Sequence, residues 1–117
     1  MTKKTREISI KKSEKVTVVE IKGRLDTTNY LTLESNLNQM IQAGERNLLI
    51  DCINLDYVSS SGLRVFLVAL KKLNQINGKF VMCNLQENIQ EIFEISGFIS
   101  IFQVFSSKEE AMQACLN

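Results

Sequence analysis

Ile8 and Ile10 alternate with polar residues, the period of a half-buried strand. Val16, Val18, Val19 and Ile21 make a second such run, closed by Lys22 and Gly23. Only the polar cluster Lys11, Lys12, Ser13, Glu14 and Lys15 separates the two, which predicts an antiparallel hairpin. Tyr30, Leu33, Leu37, Met40 and Ile41 then recur at helical spacing, with Glu34, Asn38 and Gln42 between them. Thr27 or Thr28 is placed to cap the start of that helix and Gly44 to end it. Leu48, Leu49 and Ile50 form an unbroken apolar run between Asn47 and Asp51, the pattern of a central strand buried on both faces.

Residues 54–59 read as a loop, and a second helix follows from Ser60 to about Asn77. Its apolar stripe is Leu63, Phe66, Leu67, Leu70 and Leu73, widened by Val65, Val68 and Ala69. Asn77 and Gly78 are a C-terminal stop signal. Phe80, Val81, Met82 and Cys83 predict another central strand. Asn84 and Glu87 have capping-box spacing before a short helix carrying Ile89, Ile92 and Phe93 and closed by Ser96 and Gly97. A last, edge strand lies within residues 98–105, and Ser107 to Glu110 opens a final helix with Ala111, Met112 and Cys115 inward. The order β-β-α-β-α-β-α-β-α implies an α/β domain with a mixed, mostly parallel sheet of four to five strands and four helices. The expected organisation is a flexible segment 1–6 and a single domain over 7–117.

The composition narrows the chemistry. The chain has 117 residues and a net charge of +1, too little for a dedicated nucleic-acid binder. It contains no histidine, which removes His-based triads, general bases and metal sites. Cys52, Cys83 and Cys115 are odd in number, lack CxxC spacing and sit among apolar residues. They are read as reduced, buried thiols of a cytoplasmic protein. The longest apolar run, residues 65–70, is far short of a membrane span, and the charged N-terminus has no apolar stretch behind it. Lysines and arginines at positions 3, 4, 6, 11, 12 and 15 are read as guards of an edge hairpin, with phosphate or membrane binding as the alternative.

Neither a Walker A nor a GxGxxG pattern is present. Asp51 and Asp56 flank the carboxyl end of a strand and are the best candidates for a magnesium ion, against plain roles in ending a strand and shaping a loop. The more informative segment is Asp56, Tyr57, Val58, Ser59, Ser60, Ser61, Gly62, Leu63, Arg64. It lies between a central strand and the most apolar helix, where open α/β sheets carry function. One serine is needed as a helix cap; three followed by glycine exceed that need. The helix start tolerates an anion, so a phosphate on a serine is locally acceptable.

Residues 55–63, Leu-Asp-Tyr-Val-Ser-Ser-Ser-Gly-Leu, resemble the signature of the STAS domain of bacterial anti-sigma-factor antagonists. Gly23-Arg24-Leu25-Asp26, Asn47-Leu48-Leu49-Ile50-Asp51 and Ile95-Ser96-Gly97-Phe98 resemble three further segments of that family, in order and spacing. The resemblance implies a STAS fold and partner switching. Such an antagonist binds an anti-sigma factor that is also a serine kinase, and phosphorylation releases it. A metal-dependent serine/threonine phosphatase resets the cycle. By position the phosphoacceptor is Ser61, with Ser60 as the adjoining cap, and Asp26, Ser59, Ser60, Gly62, Leu63 and Arg64 at the partner surface. Antagonists of the best-known kind carry Asp two residues before the acceptor, where this chain has Ser59. The implied protein is not an enzyme and needs no cofactor, metal or nucleic acid. Two other readings compete: a STAS interaction module in a lipid-transport or stress-signalling assembly that is not phosphorylated, and a metal enzyme using Asp51 and Asp56. Arg64 sits where a helix dipole does not favour a cation, so it is assigned either to an acidic partner residue or to a phosphate on a neighbouring serine.

Overall fold

The structure is a computed structural model that describes residues 8–12 and 15–116. The expected flexible segment 1–6, the turn residues Ser13 and Glu14, and the N-terminal basic residues at 3, 4 and 6 lie outside the described residues. β1 (Ile8–Lys12) and β2 (Thr17–Ile21) form the antiparallel hairpin, with Ile8 opposite Ile21. β3 (Gly23–Leu25) follows, then α1 (Tyr30–Gln42), β4 (Asn47–Asp51), β5 (Leu55–Val58) and α2 (Ser60–Gln75). β6 (Lys79–Cys83), α3 (Glu87–Ser96), a short 3-10 turn (Phe98–Ser100), β7 (Gln103–Phe105) and α4 (Lys108–Leu116) complete the chain. One sheet runs β1-β2-β4-β6-β7, with every pair after the hairpin parallel. This is the mixed α/β fold the pattern implies, with a separate two-stranded ladder of β3 and β5 added.

Strand alternation sorts the central residues onto two faces. Leu48, Ile50, Phe80 and Met82 pack with Leu33, Leu37, Phe66, Leu70, Leu73, Ile89 and Phe93 beneath α1, α2 and α3. Leu49, Val81 and Cys83 point the other way, onto Ala111 and Cys115 of α4 with Val16. The unbroken apolar run of β4 is therefore divided between two cores. Phe80 sits between Phe66 and Phe102, ring centroids 6.3 and 5.8 Å away, and Phe93 adds a contact to Phe102 at 5.7 Å. All three cysteines are buried and free. Among the described residues no helix is long and apolar enough to cross a membrane.

Several local expectations are corrected. Residues 55–58 of the supposed loop are a strand, because their backbone pairs with β3 rather than with the main sheet. Neither Thr27 nor Thr28 caps α1. Asn29 holds the cap position without a capping bond, and Thr28 donates its N–H and its hydroxyl to Asp26 Oδ1 at 2.9 and 2.6 Å. The carboxylate takes both donors in a local turn and so competes with helix capping. Asn84 does not cap α3 either. It has φ of +61° at the end of β6 and donates its side-chain amide to Asp51 Oδ1, leaving Gln86 before the helix. Ser107 does accept the Glu110 N–H (3.1 Å), but the Glu110 carboxylate accepts from Ser106 Oγ, so the box is only half formed. The stop at Gly44 is as read: its φ is +99°, and the N–H groups of Gly44 and Glu45 reach back to Ile41 and Met40.

Phe80 is 1% exposed at the meeting of the aromatic rings. Phe80→Ala is expected to cost about 3–5 kcal/mol through lost burial and the cavity left behind. Urea denaturation checks it; a loss below about 1 kcal/mol would show that the ring cluster is not the centre of the core.

Candidate functional site

β2 and β4 are neighbours in the sheet, and beyond its edge their continuations β3 and β5 pair again, in parallel. Gly23, with φ of +82°, turns the chain out of the sheet, and its N–H donates to the Asn54 carbonyl at 2.8 Å. At the far end of the ladder the Ser59 N–H donates to the Leu25 carbonyl at 2.9 Å. That bond fixes where α2 begins.

Ser59, not Ser60, is the cap. Its backbone is extended (φ −86°, ψ 171°), and its Oγ accepts the Gly62 N–H at 3.2 Å while its carbonyl accepts from Leu63 N–H at 2.9 Å. The loop reading had no ladder to fix the helix start; with the Ser59 N–H bonded to the Leu25 carbonyl, the cap falls one residue before Ser60. The Ser59 hydroxyl does this capping without adding a charge to the turn. Capping thus accounts for Ser59 and leaves Ser60 and Ser61 over. Ser60 is exposed and Ser61 half-buried. Gly62 is buried, because a Cβ there would lie 2.8 Å from Leu25 Cγ and Cδ2 and 2.9 Å from Val58 Cγ2. Leu63 turns toward the core and Arg64 toward solvent.

A groove of about 350 Å³ runs between α1 and the first turn of α2, lined by Tyr30, Leu31, Glu34, Ser60, Ser61 and Arg64. Beside it the Arg24 guanidinium lies 4.0 Å over the Tyr57 ring and 3.3 Å from Asp26 Oδ2. The two hydrogen bonds from Thr28, helped by Arg24, hold the Asp26 carboxyl below the usual carboxylate range. Of the residues the sequence assigns to the site, Ser60, Ser61 and Arg64 line the groove with Tyr30, Leu31 and Glu34. Asp26 is paired with Arg24, which stacks on Tyr57, Ser59 is the cap, Gly62 is buried, and Leu63 packs inward rather than at the surface expected of it. Arg24 and Tyr57 were readable only once β3 and β5 were known to pair, since Arg24 lies opposite Tyr57 in that register.

Asp51 and Asp56 are placed differently from each other. Asp51 is buried and accepts from Ile53 N–H and Asn84 Nδ2, both at 3.1 Å. Asp56 is exposed on β5. Among the described residues no group of three Cys, Asp or Glu is placed to hold a metal ion. Burial, with the Asp51 charge nearby, pushes the Cys83 thiol up to about 12, and burial raises Cys52 and Cys115 as well. These thiols are neutral at physiological pH.

A mixed sheet covered by helices, with the serine turn outside its carboxyl edge, defines the class of α/β domain, and the comparisons give its family. The STAS domain model matches residues 7–111. A Bordetella bronchiseptica protein named anti-sigma factor antagonist BtrV is 39% identical over 107 residues, covering 92% of each chain. The anti-sigma-B factor antagonist of Staphylococcus aureus is 32% identical over 91 residues, 78% of this chain and 84% of that one. Among solved structures, an anti-sigma factor antagonist of Thermotoga maritima superposes with a TM-score of 0.89 at 15% identity, covering 94% and 95%. Bacillus SpoIIAA in its phosphorylated form superposes at 0.74 and 17% identity, covering 92% and 97%. The chain belongs to the STAS-domain family of anti-sigma factor antagonists.

The site makes three predictions. Ser59→Ala is expected to cost about 1 kcal/mol by loss of the cap, and Gly62→Ala about 1–3 kcal/mol because Leu25 and Val58 must shift. Denaturant midpoints measure both, and neutral effects would show the turn to be loosely held. Asp26 titrates lower when folded than the roughly 3.9 of an unfolded aspartate, so its contribution is present above that pH and is lost as pH falls through the folded value. The stability gap between the wild type and Asp26→Asn should accordingly be constant above about pH 5 and shrink below about pH 4. A gap that grows on acidification would contradict the assignment.

Proposed function

We propose that this protein switches partners by phosphorylation of Ser61. Unmodified, it binds an anti-sigma factor with serine kinase activity and so frees the sigma factor. Modified, it lets go, and a serine/threonine phosphatase resets it. The observation that carries the reading is the half-buried Ser61 hydroxyl in the first turn of α2, one residue before a buried glycine and outside the capping bond that Ser59 makes. The family supports it, as does a fold neighbour solved in a phosphorylated form. In this reading the chain is a binding protein and a kinase substrate, not a catalyst. The Ser61 Oγ attacks the γ-phosphorus of ATP, the bond to the β,γ-bridging oxygen breaks, ADP leaves, and the serine proton passes to a base of the kinase. Asp26, Ser60 and Arg64 frame the surface that the partner meets, and buried Gly62 and inward-packed Leu63 hold the turn beneath it.

Phosphorylation adds about −1.5 to −2 charges to a site that meets the partner as a neutral hydroxyl. Two like charges about 4 Å apart repel by roughly 4 kcal/mol at an effective dielectric of 20. A third of that, about 1.4 kcal/mol, lowers affinity tenfold. Ser61→Ala should bind the kinase constitutively, and Ser61→Asp should bind at least about tenfold more weakly. Phosphopeptide mapping after incubation with kinase and ATP locates the phosphate. A phosphate on Ser60 would move the assignment. Intact binding with none of the three serines modified would leave an unswitched interaction module.

A further inference from the structure

The groove between α1 and α2 holds one cation and one carboxylate that no capping or core role explains. Arg64 is exposed and forms no ion pair among the described residues, and Glu34 likewise forms none. Both line the same 350 Å³ groove as Ser61. Ser61 and Arg64 are three residues apart on α2, so their Cβ atoms lie about 5–6 Å from each other on one face. Tyr30 and Glu34 are four apart on α1 and face the groove together.

We infer that Arg64 is the chain's own receptor for the phosphate on Ser61, and that Glu34 opposes it from the facing helix. The proposal rests on the phosphorylation of Ser61 and adds what the phosphate then meets. A guanidinium carries five fixed donors that suit two phosphate oxygens at once. Modification thus removes Arg64 from the surface offered to a partner and fills the groove, so one covalent event changes two points of the interface. Glu34 disfavours the dianion and keeps the phosphate on the α2 side of the groove. Of the other charged or titratable groups nearby, Asp26 and Arg24 are paired with each other, Tyr30 lines the groove, Asp56 and Tyr57 lie on β5, and Lys71 and Lys72 lie farther along α2, where Lys72 bonds Asn38 of α1.

The test uses full-length protein with phosphoserine installed at position 61 during synthesis, so that no kinase is needed. Phosphorus NMR follows the second ionisation of the phosphate, ordinarily near pH 6. Arg64→Gln should raise its midpoint by about 0.5, Glu34→Gln should lower it by a similar amount, and Arg64→Lys should restore most of the first shift. The Arg64 Nε–H resonance of the wild type should move with the same midpoint. Both substituted positions lie at the surface, and an unchanged amide spectrum elsewhere confirms the fold. An unmoved midpoint in Arg64→Gln, or an Arg64 Nε–H resonance blind to the titration, overturns the proposal. If the kinase leaves Ser61 untouched while the installed phosphate titrates as stated, the switch fails and this inference stands. If the kinase modifies Ser61 and the midpoint ignores Arg64, only this inference fails.

Discussion

Leu25 lies fully buried beneath the first turn of α2, at a distance that residue 62 permits only by having no side chain. The serine turn depends on that approach. With the Ser59 N–H bonded to the Leu25 carbonyl, the contact ties the helix start to β3, and through β3 to the central sheet. Helix starts are ordinarily set by their own caps; here cap, ladder and packing agree on one residue. Such a support fixes the place of the helix start, and of the serines it carries, relative to the sheet.

The two-faced sheet serves the same end. Leu48 and Ile50 anchor β4 to the three-helix face while Leu49 anchors it to α4. The strand that leads into the site is held from both sides, and Asp51 at its end is fixed by Ile53 and Asn84. Further bonds from the cap and first turn of α3 reach the same region: Gln86 Nε2 to the Ile53 carbonyl and Asn88 Nδ2 to the Asp56 carbonyl, each 2.9 Å. The chain before the serines is thus braced by β3 on one side and α3 on the other.

Element order was legible because the strong signals are local: the three-residue apolar run of β4, the wide stripe of α2, the glycines at 44 and 97. The β3–β5 ladder was not legible. Its strands have three and four residues, and Asp56 and Tyr57 are exposed, so no apolar alternation marks them. Missing the ladder displaced the cap from Ser59 to Ser60 and hid the pairing of Arg24 with Tyr57. The caps of α1 and α3 failed for a related reason. Asp26 and Asn84 spend their side chains on Thr28 and Asp51, partners that spacing alone does not reveal. The serine motif itself was readable because three hydroxyls before a glycine exceed what capping requires.

The central claim is that the partner meets this protein at the serine turn and the adjoining start of α1. Amide hydrogen exchange on the unphosphorylated protein, free and in complex with the anti-sigma kinase, tests it most directly. The account predicts slowed exchange in the first two turns of α2 and at residues 26–34, with the hairpin edge and α4 unchanged. Protection confined to β1 or α4, with the serine turn exchanging as in the free protein, would contradict it.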